Sequence, residues 1–202
     1  MTRTHLRDGS HFYSRVCFAG RQGAGKDTAG LFLATHGYHR YGFATPLYEL
    51  LYKLNPRVQV EGHLNPITLK RAVRLYGWDS LKRGKSPETR KWLQNLGQGM
   101  RDTVGEDVYI LEADKRLTGK SLTTICDVRH ANEVMWIRRT GGVLVWIDNP
   151  RIGPGINPDH VSERGPIREM ADIEIRNDGS VEDFHLALEN RLIPETHWRK
   201  NG

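Results

Sequence analysis

The chain has little cysteine: Cys17 and Cys126 are its only two in 202 residues. Each lies inside an apolar run that reads as a buried strand. Both are therefore expected to be reduced packing residues, and a disulfide scaffold is excluded. Long apolar runs are also missing. None approaches the roughly 20 residues needed to span a bilayer, so no membrane partner is expected. The opening "MTRTHLRDGSH" has no apolar stretch of the kind that marks a secretory signal, and a cytoplasmic location is the expectation. Internal repeats and low-complexity tracts are absent, so the chain reads as one domain over residues 1–202, long enough for one core with inserted segments.

Negative charge is in deficit. Lys and Arg number 30 against 24 Asp and Glu, a formal net charge of +6 with a pI near 9.4. Such a balance favours anionic partners, nucleic acids and small phosphorylated molecules alike. The cations do not form one run. They scatter through Arg71, Arg74, Lys82, Arg83, Lys85, Arg90, Lys91, Arg138 and Arg139, as a solvated face would. The continuous basic stripe with exposed aromatics that a nucleic-acid-binding ATPase needs is not there.

Short apolar runs alternate with amphipathic segments, the pattern of an α/β fold with a mostly parallel sheet. "RVCFAG" (15–20) reads as the first buried strand and "KDTAGLFLATHG" as a helix capped by Gly37. "RYGFA" (40–44) reads as a short strand. "TPLYELLYKLN" reads as a helix with Thr45 at its cap and Pro46 in its first turn. Residues 56–87 are polar and basic, with a helical piece at "ITLKRAVRLYG", and read as an irregular excursion. "ETRKWLQNLGQGMRD" places Trp92, Leu93, Leu96 and Met100 on one helical stripe, and residues 107–117 form a further helix. "SLTTICDVR" (121–129) and "VLVWID" (143–148) read as strands around the helix "ANEVMWIRRTGG". A Pro/Gly/Arg-rich loop follows, then the strand "ADIEIRND". The helix "SVEDFHLALENRLI" opens with Ser180 and Asp183 in capping-box spacing and carries Val181, Phe184, Leu188 and Leu192 as its stripe. The core is expected over about 14–55, 88–148 and 171–193, with the excursion at 56–87 and a lid at 149–170.

"GRQGAGK" (20–26) fits G-x-x-x-x-G-K between a strand and a helix, the context in which that pattern binds phosphate. Glycines let successive N–H groups turn toward one centre, and the helix N-terminus adds positive potential. Gly20, Gly23, Ala24, Gly25, Lys26, Asp27 and Thr28 are thus candidates for holding ATP, with Lys26 reaching the β- and γ-phosphates. A hydroxyl usually follows the lysine and touches Mg²⁺; here Asp27 stands in that place. A carboxylate can hold Mg²⁺ directly or through water but would repel bare phosphate. Asp27 therefore implies a metal, with Thr28 free to add a hydroxyl. Asp127 and Arg129 close a central strand, at the sheet edge where ligands of such folds sit. Asp127 suits the Mg²⁺ shell or the acceptor, and Arg129 a bidentate phosphate contact. A plain Asp–Arg ion pair is the bland alternative.

"GRQGAGKDT" also resembles the loop of phage-type deoxynucleoside monophosphate kinases, where aspartate after the lysine is usual. The likeness continues in "YGFATPLYELL", "LQNLGQGMRDTVGEDVYI", "ICDVRHANEVMWIRRTGG" and "DHVSERGPIREMADIEIRNDGSVEDF", in the family's order from Arg15 to Phe184. Gln22, Ala24, Tyr48 and Gln98 depart from the commoner residues. The resemblance implies an α/β P-loop fold of the nucleoside-monophosphate-kinase kind, and transfer of a phosphoryl group from ATP with Mg²⁺ to a deoxynucleoside 5′-monophosphate. It implies that Arg101 binds the acceptor phosphate and that Gln94 reaches the base or sugar. It implies that Asn177, Asp178 and Gly179 form a turn beside the ATP base. At least one of Arg151, Arg164 and Arg168 would neutralise the moving phosphoryl group from a closing lid. His160 and Glu163 match the family pattern without an assigned role. Expected partners are small nucleotides and no stable nucleic acid, with a homodimer left open; a phage-encoded chain would act in host cytoplasm. Another phosphorylated acceptor, of the phosphomevalonate or dephospho-coenzyme A type, stays open as an alternative.

Overall fold

Residues 15–19 read Arg-Val-Cys-Phe-Ala, and the last four are fully or almost fully buried. A run that is apolar on both faces is what a central parallel strand requires, because helices cover both sides of such a sheet. The computed structural model describes residues 4–5, 11–153 and 166–193. In chain order its elements are β1 (Thr4–His5), β2 (His11–Phe12), β3 (Arg15–Ala19), α1 (Lys26–Thr35), β4 (His39–Tyr41), α2 (Thr45–Leu54), β5 (Arg57–Val58), β6 (Ile67–Thr68) and α3 (Leu69–Ser80). A π-helical turn (Leu81–Lys85), α4 (Pro87–Val104), α5 (Val108–Leu117), β7 (Thr123–Ile125), α6 (Ala131–Arg139), β8 (Val143–Asp148), α7 (Pro166–Glu169), β9 (Ile173–Arg176) and α8 (Val181–Leu192) follow. Two compact units result, Met1–Phe43 with Ala113–Gly202, and Ala44–Glu112.

The first unit is built on the expected parallel sheet. Its strand order is β4-β7-β3-β8-β9, every neighbour parallel. Cys17 pairs with Ile125 of β7 and Leu144 of β8, so β3 is central. One layer packs Val16, Phe18, Val145, Ile147 and Ile175 with Ala29 and Leu33 of α1 and Phe184, Leu188 and Leu192 of α8. Helix α6 buries Val134, Trp136 and Ile137 and contacts β8. The Trp136 indole N–H donates to Asp114 at 3.1 Å, and the Arg15 guanidinium lies 4.5 Å from the indole centroid. The Asp114 carboxylate lets a large aromatic be buried without orphaning its N–H.

The α8 start behaves as its spacing dictates. Ser180 accepts from the Asp183 N–H at 3.1 Å while Asp183 accepts from the Ser180 N–H at 2.9 Å, a complete capping box. Val181 is nonetheless exposed, because as the first helical residue it lies beyond the edge of the stripe formed by Phe184, Leu188 and Leu192. The strand expected over 121–129 shrinks to β7, since Asp127 and Arg129 turn out of the ladder at the sheet edge. Both cysteines are free and buried.

The second unit corrects the reading of residues 56–87 as irregular. Val58 and Ile67 face one another in an antiparallel β5–β6 pair. They join Val60, Leu69, Ala72, Leu81, Leu51 and Leu93 in a core of the unit's own. Charged residues interrupt these apolar positions closely enough to hide the pattern in one dimension. Helix α4 starts on Ser86, which accepts from the Thr89 N–H at 3.3 Å, with Pro87 in the first turn. Of its expected stripe Leu93 is buried, Leu96 and Met100 are half-buried, and Trp92 stays 40% exposed.

Among the described residues no helix is long and apolar enough to cross a membrane.

Candidate functional site

The loop between β3 and α1 has a shape its sequence requires. Gly20, Gly23 and Gly25 all take positive φ, 145°, 83° and 109°. A side chain at Gly20 would put Cβ 2.6 Å from the Ile147 carbonyl, and one at Gly25 would put it 2.5 Å from the Asn177 amide nitrogen. No L side chain satisfies both the dihedrals and the space. The loop opens at the C-terminal edge of the central strand and delivers the chain into the N-terminus of α1, where unpaired N–H groups and the helix dipole attract anions.

Lys26, the first residue of α1, folds back over this loop. Its ammonium donates to the carbonyls of Gly20 and Arg21, both at 2.7 Å. The positive charge is thereby held over the loop by neutral carbonyl acceptors, which an anion would outcompete because its oxygens also carry charge. Asp27 is exposed, and its carboxylate meets Arg40 of β4 at 3.3 Å. Thr28 is half-buried one position on.

Asp127 and Arg129 follow β7, next to the loop strand in the sheet. Asp127 accepts from the Phe43 N–H at 2.9 Å, which pins the turn after β4. Arg129 is exposed, and among the described residues its guanidinium has no hydrogen-bond partner. Its backbone is fixed from behind. The buried Glu133 carboxylate accepts from the Arg129 N–H at 2.7 Å and the His130 N–H at 3.1 Å, closing a box at the start of α6. The arginine is thus anchored at its main chain and exposed at its side chain.

The remaining expected residues are engaged elsewhere. Asn177 donates its side-chain amide to the Ala24 carbonyl at 2.8 Å, so its side chain is turned toward the loop. Arg151 donates to the carbonyls of Asp178 and Gly179 and so ties the segment after β8 to that same turn. Arg168 pairs with Glu174 and lies 3.7 Å from Asp148. In the second unit Arg101 is only 8% exposed. It donates to the Glu106 carbonyl at 2.8 Å and lies 5.0 Å from the Tyr109 ring centroid. Gln94 is exposed on α4. Arg164, His160 and Glu163 fall outside the described residues.

Sequence reasoning missed Arg40, Glu133 and the side-chain role of Asn177. Glu133 had a signal, since it stands three residues after His130 at a helix start. Arg40 had none, because only the sheet order brings β4 near α1.

The residues fit a magnesium ion that arrives with a nucleotide. Among the described residues no three His, Cys, Asp or Glu side chains could form a cage by themselves. Mg²⁺ sites of this kind need only one or two carboxylates plus substrate phosphates. The exposed Asp27 carboxylate and the Thr28 hydroxyl supply hard oxygen donors beside the glycine-shaped loop.

Cys126 borders the site, against α1 at Gly30. Burial pushes its thiol up to about 11, with Arg40 opposing the shift; burial also raises that of Cys17. The thiolate is the reactive form. Neither cysteine should therefore react with a disulfide reagent at pH 8 in the native protein, and both should titrate in denaturant. A thiol that reacts fast under native conditions would contradict this burial.

No family model matches the chain, and no curated protein matches it. Solved structures with loose likeness include shikimate kinase from Bacteroides thetaiotaomicron, at 12% identity and TM-score 0.41, covering 87% of this chain and 96% of that one. Dephospho-CoA kinase from Campylobacter jejuni overlaps at 16% identity and TM-score 0.43, covering 88% and 94%. Shikimate kinase from Acinetobacter baumannii, in complex with shikimate, does so at 16% identity and TM-score 0.42, covering 89% and 96%. Overlap this loose says nothing about substrate.

Proposed function

We propose that the protein transfers the γ-phosphoryl group of ATP to the phosphate of a deoxynucleoside 5′-monophosphate. The observation that carries this reading is the loop itself: a glycine-shaped turn at a helix N-terminus with the Lys26 ammonium folded over it at 2.7 Å from two of its carbonyls. The choice of acceptor is supported by the ordered series of motifs from Arg15 to Phe184.

Lys26 exchanges its two carbonyl partners for the β- and γ-phosphates and offsets charge as the terminal group departs. Arg129 clamps the acceptor phosphate with two N–H donors, held in place by the Glu133 contact at its own backbone. Asp127 keeps the turn after β4 fixed beside that arginine. Asp27, Thr28 and Asp127 are the residues that would hold a Mg²⁺ ion arriving with ATP, and such an ion would supply neutralisation of phosphate charge. The acceptor is already an anionic oxygen nucleophile, so no strong general base is needed. Catalysis is then positioning plus charge stabilisation.

The test is an acceptor panel at fixed ATP and Mg²⁺, followed by ADP release. The natural deoxynucleoside monophosphates, their ribose forms, phosphomevalonate and dephospho-coenzyme A are each offered alone. At least one deoxynucleoside monophosphate should turn over far faster than the last two. Preferential use of phosphomevalonate or dephospho-coenzyme A would replace the acceptor. ATP hydrolysis that only DNA stimulates would replace the whole reading.

A further inference from the structure

A phosphate-binding loop works only if its N–H groups point inward, so its carbonyls must be held outward. In this chain three loop carbonyls accept from side-chain donors. Gly20 and Arg21 accept from the Lys26 ammonium, and Ala24 accepts from the Asn177 amide at 2.8 Å. When Lys26 turns to a phosphate it releases the first two. Of these three side-chain bonds to the loop, only that from Asn177 then remains.

Several features build this contact. The Asn177 N–H donates to the Asp148 carbonyl at 2.7 Å, which fixes the residue at the end of β8. Gly25 leaves the space the amide occupies, since a Cβ there would sit 2.5 Å from the amide nitrogen. Arg151 braces the turn from the other side through the Asp178 and Gly179 carbonyls. We infer that Asn177 is a positioning residue for ATP: its side chain touches the loop and not the nucleotide, and holds the Ala24 carbonyl away from the phosphate nest. This rests on the reading that the loop binds the phosphates of a nucleotide.

The experiment uses the full chain and the variants Asn177→Ala and Asn177→Asp. ATP is titrated calorimetrically, KM is measured for ATP and for the acceptor, and Tm is recorded without ligand. Loss of one neutral hydrogen bond should weaken ATP binding and raise the ATP KM about five- to tenfold in Asn177→Ala. The acceptor KM should stay within about twofold, and Tm should move little, because Asn177 is only half-buried. Asn177→Asp should lose more, since its oxygen faces the Ala24 carbonyl and its charge faces phosphate, and the extra loss should shrink as salt is added. Asn177→Ser, read in the same way, replaces the alanine variant if that one does not fold.

ATP affinity unchanged in the alanine or serine variant overturns the inference while leaving the kinase reading intact. So does a parallel rise in both KM values with a large fall in Tm, which would make Asn177 a general structural residue. A wild-type protein that binds no ATP overturns the kinase reading and this inference together.

Discussion

Lys26→Ala should cut phosphoryl transfer by roughly 100- to 1,000-fold, the cost of removing one preorganised charge-stabilising donor. In the free protein the ammonium holds two loop carbonyls at 2.7 Å and is partly open to solvent. Each has a charged donor and a neutral acceptor but is part-buried or exposed, so its net worth lies near the low end for such bonds, about 1.5 kcal/mol. Folding should therefore survive, with Tm only slightly lowered. The loss should fall on kcat and on kcat/KM for both substrates, because charge at the terminal phosphates grows as the group moves. Steady-state kinetics beside a circular-dichroism melt separate the two effects. Wild-type rates in a folded Lys26→Ala protein would remove the loop from the reaction altogether.

Gly30→Ala should destabilise the protein although it lies in the middle of a helix. In an open helix the change stabilises by about 1 kcal/mol. Here the added Cβ would stand 2.2 Å from the Cys126 sulfur and 3.3 Å from the Arg40 Nε. Cys126 comes directly after β7, which is fixed by parallel ladders to β3 and β4, so the sulfur has little freedom to yield. Overpacking of this kind costs about 1–3 kcal/mol and outweighs the propensity gain. If the loop at the start of α1 holds the phosphates as proposed, the same displacement should also weaken ATP binding. Removing the sulfur should restore what the methyl group takes away. In a double-mutant cycle of Gly30→Ala with Cys126→Ala, a coupling of about 1–3 kcal/mol between the two sites is expected. Denaturant unfolding of the four proteins measures it. A more stable Gly30→Ala single variant, or additive effects, would show that α1 and the end of β7 are not in tight contact.

These two residues mark how differently the site could be read beforehand. Lys26 was legible because a local pattern, strand then glycines then lysine, encodes both the turn and its charge. Glycine dihedrals, the α8 capping box and the buried runs of β3 and β8 are decided within a few residues and came out at the expected places; Thr45, expected at a cap, instead begins α2, whose N-cap is Ala44 with no side-chain bond. Gly30 carried no such signal. Its neighbour Cys126 is 96 positions away in the chain, and only the order of the strands makes them touch. The core of residues 56–87 was hidden for a related reason. Its apolar residues come one or two at a time from α2, β5, β6, α3, the π-helical turn and α4, so no single segment contains the whole core.

Local chemistry in the sequence thus determined the parallel α/β class, the glycine-shaped turn with its lysine, and the burial of both cysteines, because backbone sterics and strand burial act over short spans. The tertiary structure alone decided which groups hold the loop and what the arginines touch. It placed Asn177 on the Ala24 carbonyl and Arg40 on Asp27. It turned Arg151 toward the Asp178–Gly179 turn and tied the Arg129 main chain to Glu133 while leaving its side chain exposed. A hydrogen bond between residues 153 positions apart in the chain depends on where a sheet edge and a helix start converge, and that convergence exists only once the strands have paired.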